Sequence, residues 1–92
     1  MEGLEGEESM DSNWKVYILR CGDGTLYTGI SNDVESRLKA HQSGKGAKYT
    51  RGRGPLELAY QESCGSYSDA LKREAAIKKL TKTQKEQLID SK

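Results

Sequence analysis

The stretch WKVYILRCGDGTLYTGI, residues 14–30, constrains the chain more than any other. Two runs rich in β-branched and aromatic residues, WKVYILR and TLYTGI, flank the sequence CGDG. Such runs around a glycine-rich turn read as a β-hairpin. A three-residue loop, Gly22-Asp23-Gly24, lets Gly24 take the left-handed conformation that hairpin loops of this length use. That loop sets Cys21 opposite Thr25, Leu19 opposite Tyr27 and Tyr17 opposite Gly29. Side chains alternate with a period of two, so this register puts Tyr17 and Tyr27 on one face. A two-residue loop would separate them.

The rest of the chain supplies the partners of that hairpin. In SNDVESRLKAHQSG, Ser31 or Asn32 is a candidate helix cap and Gly44 a candidate stop. Val34, Arg37, Leu38 and His41 fall on one helical face, so an arginine and the only histidine share the inward stripe. PLELAYQE reads as a third strand begun by the only proline. SYSDALKREAAIKKL reads as a second helix capped by Ser66 or Ser68. Ala70, Leu71, Ile77 and Leu80 mark its expected buried side, and Glu74 falls among them. TKTQKEQLI reads as a short third helix, with Thr81 and Gln84 spaced as a capping box. The order β-β-α-β-α-α predicts one α+β domain over residues 14–92, a three-stranded sheet flanked by helices.

Residues 1–13 carry five acids and no base, and read as a disordered acidic tail. Residues 14–92 hold fifteen basic against nine acidic residues, a net charge of +6. The densest segment is 36–56, with Arg37, Lys39, Lys45, Lys48, Arg51 and Arg53 and no acid. A patch of this kind suits a polyanion such as nucleic acid. The alternative is a solvated surface. Only 34% of the chain is hydrophobic and phenylalanine is absent, so the core is small. No apolar run approaches the ~18 residues of a membrane span. Cys21 and Cys64 form no Cys-x-x-Cys pair, and one histidine does not make a zinc site. Two free thiols in a reducing cytosol are expected, hence a cytoplasmic protein.

Tyr17, Tyr27, Arg37 with His41, and Glu74 all fall on faces expected to be inward. Buried charges must meet one another, a metal or a substrate. Each has a plainer reading alone: strand tyrosines as core packing, an Arg37–Glu74 structural bridge, His41 as a helix-end cap. Together they resemble the GIY-YIG nuclease superfamily. KVY (15–17) stands where the first motif has Gly-Ile-Tyr, and YTG (27–29) where the second has Tyr-Ile-Gly. SRLKAH supplies the expected arginine, with a histidine four residues on, and ALKREAAIKKL the expected glutamate. The small single-domain UPF0213 branch is the nearest likeness, over about residues 14–90.

That resemblance implies a divalent-metal-dependent DNA endonuclease, on single-stranded or branched DNA, with RNA as an alternative substrate. By the family's pattern Glu74 binds one Mg²⁺ or Mn²⁺ ion. Tyr17 serves as general base or positions it, Tyr27 orients water or phosphate, and Gly29 allows close backbone approach. Arg37 stabilises charge on the phosphate, and His41 shuttles a proton. One carboxylate with waters is a reasonable Mg²⁺ site, because that ion retains water. Lys39, Lys45, Lys48, Arg51 and Arg53 are the expected nucleic-acid-binding residues. Lys15 replaces the first motif's glycine, Thr28 replaces an isoleucine, and no asparagine follows Asn32. Gln84 or Gln87 is the candidate substitute for the late asparagine of many relatives. The competing functions are a nucleic-acid-binding module without turnover and an adaptor that recruits a nuclease through a protein partner.

Overall fold

The computed structural model describes residues 13–44 and 52–91. The acidic tail through residue 12, and Lys45, Lys48 and Arg51, lie outside the described residues. The element order is β1 (Trp14–Arg20), β2 (Leu26–Ser31), α1 (Val34–Gln42), β3 (Glu57–Gly65), α2 (Tyr67–Lys78) and α3 (Lys82–Asp90). The three strands form an antiparallel sheet in the order β2-β1-β3.

β1 is central because it is the strand whose consecutive residues are buried on both faces over its longest run. Val16, Tyr17, Ile18 and Leu19 are all buried. On one face Val16 and Ile18 pack with Tyr60 and with Ile77 of α2, and Leu88 and Ile89 of α3 close over them. On the other, Tyr17 and Leu19 pack with Val34 of α1, flanked by Tyr27, Leu38 and Leu58. Full burial of each such aliphatic side chain contributes about 1.5–3 kcal/mol, so this one strand organises the small core.

The hairpin has the expected register. Leu19 pairs with Tyr27 and Tyr17 with Gly29. Gly24 sits at φ +88°, and its N–H donates to the Cys21 carbonyl at 2.9 Å. Gly22 has a different reason to be glycine. Its N–H donates to the Arg53 carbonyl at 2.6 Å, and a Cβ there would lie 2.2 Å from the Gly54 carbonyl oxygen. The turn therefore docks against the segment that leads into β3. Asp23 strengthens the contact through an ion pair with Arg53. Hydrogen bonds from the Thr25 side chain and backbone, and then Arg53, hold the Asp23 carboxyl down at about 2.

Four local expectations are corrected. The cap of α1 is Asp33, not Ser31 or Asn32: its carboxylate accepts from the Ser36 N–H, while the Ser31 hydroxyl accepts from the Asp33 N–H. β3 begins at Glu57 and runs to Gly65, so Pro55 lies before the strand. Leu71 is 40% exposed rather than buried. Arg37 is exposed on α1 rather than turned inward. Gly44 does end α1, at φ +82°, with its N–H on the His41 carbonyl. Ser66 caps α2, and the Thr81–Gln84 capping box of α3 is complete. Cys21 and Cys64 are free.

β3 carries a bulge that its alternation does not announce. Ile18 pairs with Tyr60 but Leu19 with Leu58, leaving Ala59 without an opposite residue. The extra residue turns Tyr60 and Leu58 to opposite faces, and each then joins a different half of the core. Two ionic ties hold the last helices down. Arg20 on β1 donates to both oxygens of Glu86 on α3, at 2.9 and 3.0 Å. Arg73 on α2 donates to Glu62 on β3 at 2.8 Å, and Tyr60 also donates to Glu62. Burial opposes ionisation of Glu62, but these bonds keep its pKa below the ordinary value.

One core group is left unsatisfied. Thr28 is buried, and its hydroxyl has no hydrogen-bond partner among the described residues. An unpaired buried hydroxyl costs about 1–3 kcal/mol, and an apolar isostere removes that cost. Thr28→Val is therefore expected to raise the melting temperature, by about 4–8 °C for each kcal/mol regained. Thermal denaturation followed by circular dichroism checks this; a fall would show that the hydroxyl is bonded in solution.

Candidate active site

The site is built around Tyr17, at the middle of the central strand. Gly29 stands directly across on β2. A Cβ at Gly29 would lie 2.7 Å from the Tyr17 hydroxyl oxygen and 2.8 Å from Cζ. It would also lie 3.1 Å from the Tyr27 ring. The missing side chain is thus the space through which the Tyr17 ring crosses β2. Two residues earlier on β2, Tyr27 lies on the same face, its ring 6.4 Å from that of Tyr17.

His41 closes the cluster from the last turn of α1. It is 2% exposed, and its Nε2 lies 3.0 Å from the Tyr17 hydroxyl. Its ring stands 5.2 Å from Tyr27 at 61°. Burial, and secondly the charge of Arg37, lower the His41 pKa, so the imidazole is neutral at pH 7. Burial also raises the Tyr17 phenol well above its ordinary value. Two neutral partners follow, and the phenol O–H donates to Nε2 in the tautomer that carries its proton on Nδ1.

Arg37 and Glu74 flank this buried pair from opposite sides of the sheet, Arg37 on α1 and Glu74 on α2. Both are felt at Tyr17: the guanidinium favours the phenolate and the carboxylate disfavours it. No ion pair joins Arg37 to Glu74 among the described residues. Glu74 instead pairs with Lys78, one turn on, at 3.4 Å, with its side chain 20% exposed. Of the predicted constellation, Tyr17, Tyr27, Gly29 and His41 are in contact, while Arg37 and Glu74 act on Tyr17 through their charge.

The donor chemistry suits a hard cation held loosely. Among the described residues no group of three or more His, Cys, Asp or Glu could cage a metal. Glu74 offers one partly exposed carboxylate, and Mg²⁺ completes such a site with water and substrate oxygens. A cation held there would share that carboxylate with the Lys78 ammonium.

The expected nucleic-acid residues divide. Lys39 is exposed on α1. Arg53 is engaged with Asp23. Lys78 was not among the residues singled out from sequence, although a Glu–Lys pair at i, i+4 is a readable signal.

This geometry defines a GIY-YIG catalytic domain, whose family matches residues 13–87, and the chain belongs to that family. GIY-YIG proteins are nucleases and generally use a divalent metal. Its relatives are UPF0213 proteins. The chain is 58% identical over 77 residues to one from Clostridium perfringens, covering 84% of this chain and 83% of that one. It is 51% identical over 81 residues to another from Oceanobacillus iheyensis, covering 88% and 94%. The solution structure of a UPF0213 protein from Bacillus halodurans superposes with a TM-score of 0.57 at 49% identity, covering 86% of this chain and 84% of that one. No helix among the described residues is long and apolar enough to cross a membrane.

Two outcomes follow from the packing of these rings. Gly29→Ala is expected to lower the unfolding free energy by about 1–3 kcal/mol, the usual penalty of overpacking, as read by urea denaturation. The second concerns pH. An unfolded histidine titrates near 6.5, whereas folded His41 resists protonation. As pH falls below ~6.5 the unfolded chain takes up that proton first. The stability His41 contributes is complete above that pH and is lost as pH drops toward the lower folded value. Comparing denaturation midpoints at pH 7 and pH 5 should show a smaller acid loss in His41→Gln than in the wild type.

Proposed function

We propose that the protein is a divalent-metal-dependent endonuclease that hydrolyses DNA phosphodiester bonds. The observation that carries this reading is the Tyr17–His41 hydrogen bond of 3.0 Å, set beside Tyr27 and within the fields of Arg37 and Glu74.

The burial of Tyr17 decides how its chemistry runs. A phenol whose pKa is raised is a poor base by itself. The neutral imidazole behind it removes the difficulty. As water attacks phosphorus, its proton passes to the Tyr17 oxygen while the Tyr17 proton passes to His41 Nε2. The new P–O bond forms to the water oxygen and the bond to the departing sugar oxygen breaks. That oxygen takes a proton from solvent. His41 is then the net acceptor, and Tyr17 is a relay that never stands as a free phenolate.

In this reading Arg37 receives the charge that develops on the phosphoryl oxygens, since a guanidinium matches phosphate geometry. Tyr27 orients the water or a phosphate oxygen from the same face as Tyr17. Glu74 is the residue that would hold the ion. Bound there, Mg²⁺ or Mn²⁺ supplies polarisation of a phosphoryl oxygen and of the leaving group. Before substrate and metal arrive, Lys78 balances the Glu74 charge.

The test uses labelled single-stranded, duplex and branched DNA with Mg²⁺, Mn²⁺ or EDTA. Wild type should cleave at least one substrate only with metal. Glu74→Gln should lose cleavage while binding DNA as well or better, because a negative charge has left the site. His41→Gln should slow turnover by about 10²–10⁴-fold, the usual worth of a general base. Cleavage that persists in Glu74→Gln would overturn the assignment. Salt-sensitive binding without cleavage of any substrate would leave a nucleic-acid-binding module.

A further inference from the structure

Two shallow cavities line the outer side of β2, away from the basic segment 36–56. The first, about 290 Å³, is lined by Leu26, Tyr27, Thr28, Lys78 and Lys85. The second, about 220 Å³, is lined by Thr25, Leu26, Lys82 and Lys85. They share Leu26 and Lys85, so they form one groove. β2 is an edge strand, so no further strand covers this side. One end of the groove meets the candidate site at Tyr27 and at Lys78, the partner of Glu74. The other end reaches the hairpin turn, where a Cβ at Gly24 would lie 3.8 Å from Lys82 Nζ.

Lys78 is paired with Glu74, but the charges of Lys82 and Lys85 are not cancelled locally. Glu86, next to Lys85 in sequence, is spent on Arg20. Asp23, at the hairpin turn, is spent on Arg53. No ion pair among the described residues engages Lys82 or Lys85. Lys82 and Lys85 therefore keep their charge on a concave path that also carries Lys78 and begins beside the proposed reaction centre at Tyr27. Lysines on a convex surface are ordinarily solvated, but a charged cleft concentrates a polyanion.

We propose that this groove holds the phosphates of the nucleic-acid strand on one side of the scissile bond. The proposal rests on the nuclease reading for the position of that bond. α1, with Lys39, lies on one face of the sheet, and α2 and α3 lie on the other. A strand whose reacting phosphate sits at Tyr17, Tyr27 and Arg37 crosses the β2 edge. It leaves toward α1 in one direction and along Lys78, Lys85 and Lys82 in the other. The contacts are to phosphate, so they add affinity without base preference. Lys78 belongs to both regions and couples strand occupancy to the freedom of the Glu74 carboxylate.

The experiment measures binding of a labelled single-stranded oligonucleotide by fluorescence anisotropy, in EDTA, across a salt series. It compares wild type, Lys82→Ala with Lys85→Ala, and a control of equal charge, Lys72→Ala with Lys79→Ala. The control residues do not line the groove. Each phosphate contact contributes about 0.7 to the slope of log affinity against log salt for a single strand. The groove variant should lose roughly 1.4 of slope on that basis and bind about tenfold more weakly near physiological salt. The control should follow wild type, and Lys82→Arg with Lys85→Arg should restore both affinity and slope. Equal behaviour of groove variant and control would overturn the proposal, as would arginine variants that fail to restore binding while melting like wild type. The binding assay uses no turnover. A reduced slope without any cleavage supports the groove while the nuclease reading fails; cleavage abolished by Glu74→Gln with an unchanged slope has the reverse meaning.

Discussion

The structure depends on one side chain crossing one vacancy. Tyr17 lies in the centre of the central strand, which is buried on both faces, and its ring passes over β2 where Gly29 offers no Cβ. That crossing carries the hydroxyl to His41 on α1. The same residue therefore fills the core on the α1 side and presents the polar atom on which the proposed chemistry turns. Core and site are not separable here. Moving the ring would disturb the packing of Leu19 and Val34 and would break the contact with His41.

Burial has opposite consequences for the two partners, and the pair works because of it. A phenol loses acidity when desolvated, and an imidazole loses basicity. Each change alone would weaken a catalyst. Joined by a hydrogen bond they define a neutral pair in which Tyr17 can take a proton from water as it passes its own to His41, so that no free phenolate stands in the site. Arg37 and Glu74 then act on that pair with opposite sign. The carboxylate's influence is the one that a bound cation would cancel. The resting site discourages the phenolate, and neutralising Glu74 relieves part of that bias. Lys78 supplies some of this neutralisation in the absence of an ion.

The hairpin was legible because turn chemistry and pleat leave little freedom. Once Gly22-Asp23-Gly24 is a three-residue loop, the pairing of Tyr17 with Gly29 follows. The capping box of α3 was legible for a similar reason, since both reciprocal bonds are local. The cap of α1 was not, because Ser31, Asn32 and Asp33 are all competent and tertiary context selects among them. Arg37 was assigned inward from a helical face with only two apolar members. Such a face does not specify its own orientation; the sheet rotated it so that Val34 and His41 became buried and Arg37 did not. Nothing local marks the bulge at Ala59, which exists because Leu58 and Tyr60 are needed on opposite faces.

The candidate site was legible as a set of residues but not as an arrangement. Five polar or phenolic groups read as inward demanded partners, and the argument holds for the four that the fold leaves buried or half-buried, Tyr17, Tyr27, His41 and Glu74. Which group meets which is a tertiary matter. Glu74 pairs along its own helix with Lys78, whereas the plain reading of the sequence was a structural bridge across the fold to Arg37. The lysines of α2 and α3 were invisible for the opposite reason. Spread along two helices and interrupted by Glu86, they do not form a run. They become a groove only after Arg20 has removed Glu86 from the balance and β2 has been left at the edge of the sheet. Charge that matters to a ligand is the charge remaining after the fold has made its own pairs. A segment such as 36–56, dense in sequence, can lose part of its charge to the fold, as Arg53 does to Asp23. A sparse set can keep more of it, as Lys82 and Lys85 do.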